Sequence, residues 1–277
     1  LDGPEKKKAW SEVVDFPIPG RTNKPRIKGL TMVIDKGLGL VSTEELLNVA
    51  GDYIDYLKLG FGTSALYDED VLVKKISLVR SCGADIYPGG TFFEVAWLQN
   101  KVKDYLKYAW HLGFSAIEIS DGTVDMGYEV KRNFIVMAKD MGFKVITEVG
   151  KKDLRDMPDL NKFIRQVKKE LDSEADLVII EGRESGKGIG LYDARGNIRK
   201  DDFAELLLNT YKMEKIMWEA PLKKQQQEFI TLFGPNVNLG NVAINEILAL
   251  EALRVGMRGD TLKNTLSAGE FLQCVLI

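Results

Sequence analysis

Short runs that are apolar at nearly every position alternate along this chain with longer stretches in which apolar residues recur every three to four positions. The continuous runs fall near residues 27–35, 53–59, 84–88, 115–120, 143–148, 176–181, 214–219 and 236–239. The helix-period stretches fall near 43–50, 69–82, 92–111, 128–141, 159–174, 200–209, 222–233 and 245–257. Continuous apolar runs predict strands buried on both faces, and their alternation with helices predicts crossover connections in a parallel sheet. Eight such units predict an α/β fold, a single-domain (β/α)8 TIM-type barrel over residues 26–261. No dinucleotide fingerprint follows the first run, which argues against an open doubly wound sheet. Residues 1–25 read as a charged leader and 262–277 as a tail, whose apolar end (271–277) is expected to dock on the barrel or on a neighbouring subunit. Ser42-Thr43-Glu44-Glu45 and Thr91-Phe92-Phe93-Glu94 have capping-box spacing and predict helix starts.

Three successive strands stop at a carboxylate: Val145-Ile146-Thr147-Glu148, Val178-Ile179-Ile180-Glu181 and Ile216-Met217-Trp218-Glu219. A carboxylate beside a buried strand is costly unless it meets a cation. In a barrel the C-terminal strand ends form one mouth, so Glu148, Glu181 and Glu219 are expected to converge there as oxygen ligands for a divalent metal. Pairing with nearby Lys and Arg in a structural ion-pair ring is the alternative. Glu118 shares a strand face with Ser120 and lines the interior, either as a ligand or as a buried pair. Asn236-Val237-Asn238-Leu239-Gly240-Asn241 is expected at the same mouth.

Composition narrows the chemistry. The 277 residues are 45% hydrophobic, enough for a sizeable core, and 38 basic residues nearly balance 41 acidic ones, which leaves no basic excess for nucleic acid. Apolar stretches fall short of the ~20 residues a membrane span needs. Cys82 and Cys274 are the only cysteines, which fits a reducing compartment; a soluble cytoplasmic protein is expected. His111 is the single histidine, placed near a helix end. Ser-His-Asp triads and His-rich zinc sites are therefore excluded, and an oxygen-only site favours magnesium.

Lys36, Lys58, Lys151, Arg183 and Lys187 fall at or just past predicted strand ends, beside the turns Gly60-Phe61-Gly62-Thr63 and Gly89-Gly90-Thr91. Cations and glycine-rich backbone together suit an anionic substrate carrying phosphate or carboxylate. The Gly182–Gly188 segment is similar to a P-loop, but its spacing is short by one and Gly188 stands where Ser or Thr is required, so it is not one. Lys151 follows Gly150 and Glu148. A lysine among cations has a lowered pKa and can move a proton; a phosphate clamp is the other reading.

Lys24-Pro25-Arg26, Asp52-Tyr53-Ile54-Asp55-Tyr56-Leu57-Lys58-Leu59-Gly60-Phe61-Gly62-Thr63-Ser64, Tyr87-Pro88-Gly89-Gly90-Thr91, Glu118-Ile119-Ser120-Asp121-Gly122, Glu148-Val149-Gly150-Lys151-Lys152, Glu181-Gly182-Arg183-Glu184-Ser185-Gly186 and Gly234-Pro235-Asn236-Val237-Asn238-Leu239, in this order over about residues 23–261, closely resemble the phosphosulfolactate synthase family. The resemblance implies a (β/α)8 barrel, Mg2+ as cofactor, and addition of sulfite to phosphoenolpyruvate giving (2R)-2-O-phospho-3-sulfolactate, a carbon–sulfur lyase reaction. In archaea this step leads toward coenzyme M. The resemblance suggests Lys151 as the acid that protonates C2. Arg183 and Lys58 are then expected on phosphate and carboxylate, and Lys36 and Lys187 on sulfite. Gly90, Thr91, Ser120 and Ser185 complete the substrate-binding set, and a homo-oligomer, a trimer for example, is expected. A divergent plant branch, the heat-stress-associated proteins, and an aldolase-like barrel with a Schiff-base lysine are the rival readings.

Overall fold

The computed structural model describes residues 7–156 and 158–267. Eight parallel strands, β1 (Thr31–Asp35), β2 (Tyr56–Leu59), β3 (Asp85–Pro88), β4 (Ala116–Ile119), β5 (Lys144–Val149), β6 (Leu177–Ile180), β7 (Ile216–Glu219) and β8 (Leu239–Ala243), alternate with helices. The helices are α1 (Leu40–Ala50), α2 (Glu69–Ser81), α3 (Gly90–Leu98), α4 (Val102–Leu112), α5 (Tyr128–Asp140), α6 (Leu160–Leu171), α7 (Lys200–Leu208), α8 (Lys223–Phe233), α9 (Ile247–Arg254) and α10 (Gly259–Ser267). The strand order is β3-β2-β1-β8-β7-β6-β5-β4, so β1 pairs with β8 and the sheet curls into a barrel. At the β3–β4 seam the ladder gives way to two bonds of Ser115. Its N–H donates to the Ile86 carbonyl at 3.3 Å, and its Oγ accepts from the Ile86 N–H at 3.1 Å. The expected TIM-type barrel is the fold.

Side chains alternate across each strand. Tyr56, Tyr87, Ala116, Ile146, Ile179 and Met217 face inward and pack with Leu30, Met32 and Leu177 as the barrel's interior filling. The outward residues join the larger core beneath the helices. Two positions on from Tyr56, Ala116, Ile146, Ile179 and Met217 come Lys58, Glu118, Glu148, Glu181 and Glu219. The period of two therefore stacks a charged layer directly on an apolar one, at the C-terminal mouth.

Local expectations needed three corrections. The stretch 92–111 is two helices, broken where Asn100 adopts a left-handed φ of 56° and Lys101 N–H donates back to Ala96 O; Asn tolerates this conformation better than most residues. Neither capping box forms. Helix α1 begins after Gly39, to whose carbonyl Thr43 Oγ1 donates, and α3 begins after Gly89. Strand β8 starts at Leu239, so Asn236 and Asn238 lie at the opposite end of the barrel. There Asn236 Oδ1 accepts from Thr22 N–H and Asn238 Oδ1 from Leu30 N–H, both at 3.0 Å. The described part of the leader packs on the barrel: Ile18 N–H donates to Val255 O and Arg21 pairs with Glu251 at 2.8 Å.

The apolar end at 271–277 lies outside the described residues. Among those described, no helix is long and apolar enough to cross a membrane. His111 sits in the last turn of α4, stacked on Tyr108.

Candidate active site

Lys58, on β2, is the hub of the mouth. Its ammonium lies 2.9 Å from Glu118 Oε2, 3.6 Å from Glu219 Oε1 and 3.8 Å from Glu148 Oε2. Burial opposes its charge, but Glu118, Glu219, Tyr87 and Glu148 together hold its pKa well above the usual lysine value. It is a permanent cation. The carboxylates respond unequally. Burial would raise Glu148, yet Lys152 and Lys58 hold it down at about 2. Burial pushes Glu118 up, against the opposing pull of Lys58. Burial, with Glu148 and Glu219 alongside, drives the Glu181 carboxyl well above the normal range against the opposing pull of Lys152.

Glu148, Glu181 and Glu219 each present a carboxylate oxygen within 4.8 Å of the others, and all three are buried. Backbone orients two of them: Arg183 N–H donates to Glu181 Oε1 at 2.5 Å and Gly182 N–H to Glu219 Oε2 at 2.9 Å. Two glycines permit this crowding. A Cβ on Gly150, whose φ is +134°, would fall 2.5 Å from Glu181 Cβ, and one on Gly182 would fall 2.7 Å from the Glu219 carbonyl. Glu181 Oε2 is fully buried without a hydrogen-bond partner. An all-oxygen donor set with one orphaned buried oxygen fits a hard divalent cation such as Mg2+.

The β3–β5 side of the mouth is a hydrogen-bonded chain. Gly90 N–H donates to Glu118 Oε1 at 2.8 Å. Ser120 Oγ lies 2.9 Å from both Glu94 Oε1 and Glu148 Oε1 and, having one proton, donates to one at a time. Glu94 also accepts from Thr123 N–H. Lys152 Nζ reaches Thr91 Oγ1 at 2.9 Å and Glu148 Oε1 at 3.5 Å. Five carboxyl groups thus face two ammonium groups in a buried space, and burial favours the neutral forms of Glu181 and Glu118.

The other expected residues are placed differently. Lys151 Nζ donates to the carbonyls of Asp121 (2.6 Å) and Val124 (3.2 Å), and lines a groove of about 200 Å³ between the β4–α5 loop and α6, whose lining also includes Glu148. Arg183, Ser185 and Lys187 are exposed on the β6–α7 loop, with Arg183 at a left-handed φ of 56°. Lys36 pairs with Glu184 of that loop, tying the β1 end to the β6 end. Gly90 gives its N–H to Glu118, so it is not free to meet an anion, and Thr91 accepts from Lys152.

Sequence reading gave no role to Lys152, Glu94 or Lys131. Lys152 was visible as the second lysine of the Glu148–Lys152 string. A strand leaving through a left-handed glycine keeps no alternation from which to choose between neighbours. Glu94 belongs to the expected capping box Thr91-Phe92-Phe93-Glu94. Lys131, buried on α5, bonds Asp121 Oδ1 (3.0 Å), Glu170 Oε1 (2.8 Å) and the Glu148 carbonyl (2.9 Å), bracing two strand ends from behind.

The family profile described as (2R)-phospho-3-sulfolactate synthase (ComA) matches residues 19–260. The chain belongs to this family. It is 48% identical over 254 residues to the phosphosulfolactate synthase of Methanothermobacter thermautotrophicus, covering 90% of this chain and 96% of the relative. It is likewise 48% identical over 240 residues to that of Methanocaldococcus jannaschii, covering 84% and 94%. A solved 3-hexulose-6-phosphate synthase from Salmonella typhimurium aligns with a TM-score of 0.52 at 14% identity, over 86% of this chain and 99% of that one, which supports the barrel alone. As a member of the phosphosulfolactate synthase family the protein is an enzyme of the carbon–sulfur lyase type.

Proposed function

We propose that this enzyme joins sulfite to phosphoenolpyruvate to give (2R)-2-O-phospho-3-sulfolactate, with Mg2+ as cofactor. The observation that carries the reading is the buried trio Glu148, Glu181 and Glu219 in one mouth with Lys58 and Lys152. Mg2+ held by the trio would supply the positive charge that two anionic substrates and the developing enolate-like dianion require.

The sulfur lone pair of sulfite forms a bond to C3, the C2=C3 π bond breaks, and its electron pair spreads from C2 into the carboxylate. A proton then completes C2. Lys58, held cationic by its carboxylates, is suited to stabilise that charge. Lys152 is suited to deliver the proton: its ammonium stands at the mouth, and although burial opposes its charge, Glu148 and Glu181 keep it protonated. We therefore carry the expected lysine donor forward as Lys152, with Lys151 as the competing assignment. Lys36, Arg183, Ser185 and Lys187, all exposed, with Lys36 paired to Glu184, are our candidates for drawing in phosphate and sulfite. A Schiff-base aldolase needs a neutral lysine, which argues against Lys58 in that role. A soluble cytoplasmic homo-oligomer remains our expectation, with sedimentation velocity as its check.

Phosphorus NMR tests the reaction. Phosphoenolpyruvate should be consumed only when sulfite and Mg2+ are both present, yielding a stable phosphate monoester. Consumption without sulfite, or none with both, would overturn the proposal.

A further inference from the structure

Glu94 is only 2% exposed, yet it forms no ion pair among the described residues. Its partners are neutral: Ser120 Oγ at 2.9 Å and the Thr123 N–H at 3.2 Å. A buried carboxylate without a paired cation is unfavourable. A close approach of two elements brings it there. Gly90 and Glu94 stand four apart on α3 and so share one helix face. A Cβ at Gly90 would fall 2.5 Å from Ser120 Cβ, so glycine is what lets that face meet the end of β4.

Ser120 Oγ accepts from Gly122 N–H at 3.2 Å, which leaves its single proton for one of two carboxylate oxygens. Glu94 Oε1 and Glu148 Oε1 both stand 2.9 Å away. Donation to Glu148 draws electron density from a carboxylate of the trio, whereas donation to Glu94 leaves Glu148 at full donor strength. Partners one step behind a metal ligand tune the affinity of the site in this way.

We infer that Glu94 is a positioning residue for the divalent cation: it takes the hydrogen bond of Ser120 and so frees Glu148 to act as a ligand. The inference rests on the Mg2+ reading of Glu148, Glu181 and Glu219 proposed above. Ser120 is then the switch between two carboxylates, and Glu94 sets it without touching the ion.

A double-mutant cycle read by Mg2+ titration calorimetry on the substrate-free enzyme tests this. Glu94→Gln keeps an acceptor for Thr123 N–H, but an amide accepts more weakly than a carboxylate, so the Ser120 proton passes to Glu148. Affinity for Mg2+ should fall roughly 10-fold. Glu94→Asp keeps the charge but withdraws the acceptor from Ser120, and it should bind more weakly as well. Ser120→Ala should bind Mg2+ at least as tightly as the unsubstituted enzyme, and in that background Glu94→Gln should lose its effect. Melting temperatures without Mg2+ check that each variant is folded.

An equal loss in both backgrounds, or undiminished affinity in Glu94→Asp, would mean that Glu94 acts by charge alone and overturns the inference. Undiminished affinity in Glu94→Gln, or weaker binding by Ser120→Ala, overturns it too. No Mg2+ binding by the unsubstituted enzyme instead overturns the metal reading itself, and this inference with it.

Discussion

Lys58 Nζ lies 2.9 Å from Glu118 Oε2 in the barrel, and the pair is almost wholly removed from solvent. Glu118 is in turn held by Gly90 N–H, so β2, the start of α3 and β4 meet at one charge. This coupling makes the catalytic mouth part of the fold's stability.

Replacing Lys58 by Met leaves Glu118, Glu148 and Glu219 without their shared cation. Breaking a buried pair from one side costs about 3–5 kcal/mol, whereas removing both partners is far less damaging. Denaturant unfolding should show Lys58→Met destabilised by that amount and Lys58→Met/Glu118→Gln partly restored. Equal stability of the two variants would mean that the contact carries no coupling.

Lys151→Ala and Lys152→Ala separate the two lysines. If Lys152 is the proton donor, its loss should lower kcat by roughly 10²–10⁴ while leaving phosphoenolpyruvate binding nearly intact. Lys151→Ala should then fall in kcat by much less. Stopped-flow or single-turnover assays decide, and the reverse pattern would return the role to Lys151.

Mg2+ should stabilise the protein through Glu148, Glu181 and Glu219. At a hundredfold excess over Kd, linkage gives about 2.7 kcal/mol, or roughly 5 to 10 °C in Tm for a chain of this size. Glu181→Gln/Glu219→Gln should abolish the shift, and Glu181→Gln alone should leave the metal-free Tm nearly unchanged, because burial already favours the neutral form of that carboxyl. A Mg2+ shift that survives in the double variant would place the ion elsewhere.

Lys131 supplies a pH signature. Burial opposes its charge, but Glu170 and Asp121 raise its pKa above the unfolded value. Its contribution is therefore complete below the unfolded lysine pKa of about 10.4 and is lost as pH rises from there through the folded value. Lys131→Met should be less stable by about 3–5 kcal/mol at neutral pH, with the gap to the unsubstituted protein closing only in alkali. A gap that closes at pH 8 would contradict the buried pairing.

Gly150→Ala tests the close approach of β5 to Glu181. A methyl group there would fall 2.5 Å from Glu181 Cβ, at a φ that only glycine adopts readily. We expect a loss of about 1–3 kcal/mol together with weakened Mg2+ stabilisation. Unchanged Mg2+ affinity would show that Glu181 tolerates displacement.

Eight buried runs alternating with amphipathic stretches were enough to specify the barrel. The strand period of two was enough to send Glu148, Glu181 and Glu219 to one mouth, because both are local regularities of the chain. Strand ends fared worse. The Asn236–Asn238 segment is as strand-like as its neighbours, and only its bonds to Thr22 and Leu30 reveal which end of the barrel it serves. The choice between Lys151 and Lys152 was equally hidden. Beyond Gly150 the direction of a side chain depends on what surrounds it, here the Asp121 carbonyl for one lysine and Glu148 with Thr91 for the other. Sequence thus determined the architecture and the kinds of charged group at the mouth. Tertiary structure alone decided which of them meet, because burial in a shared low-dielectric space, and not proximity along the chain, selects each partner.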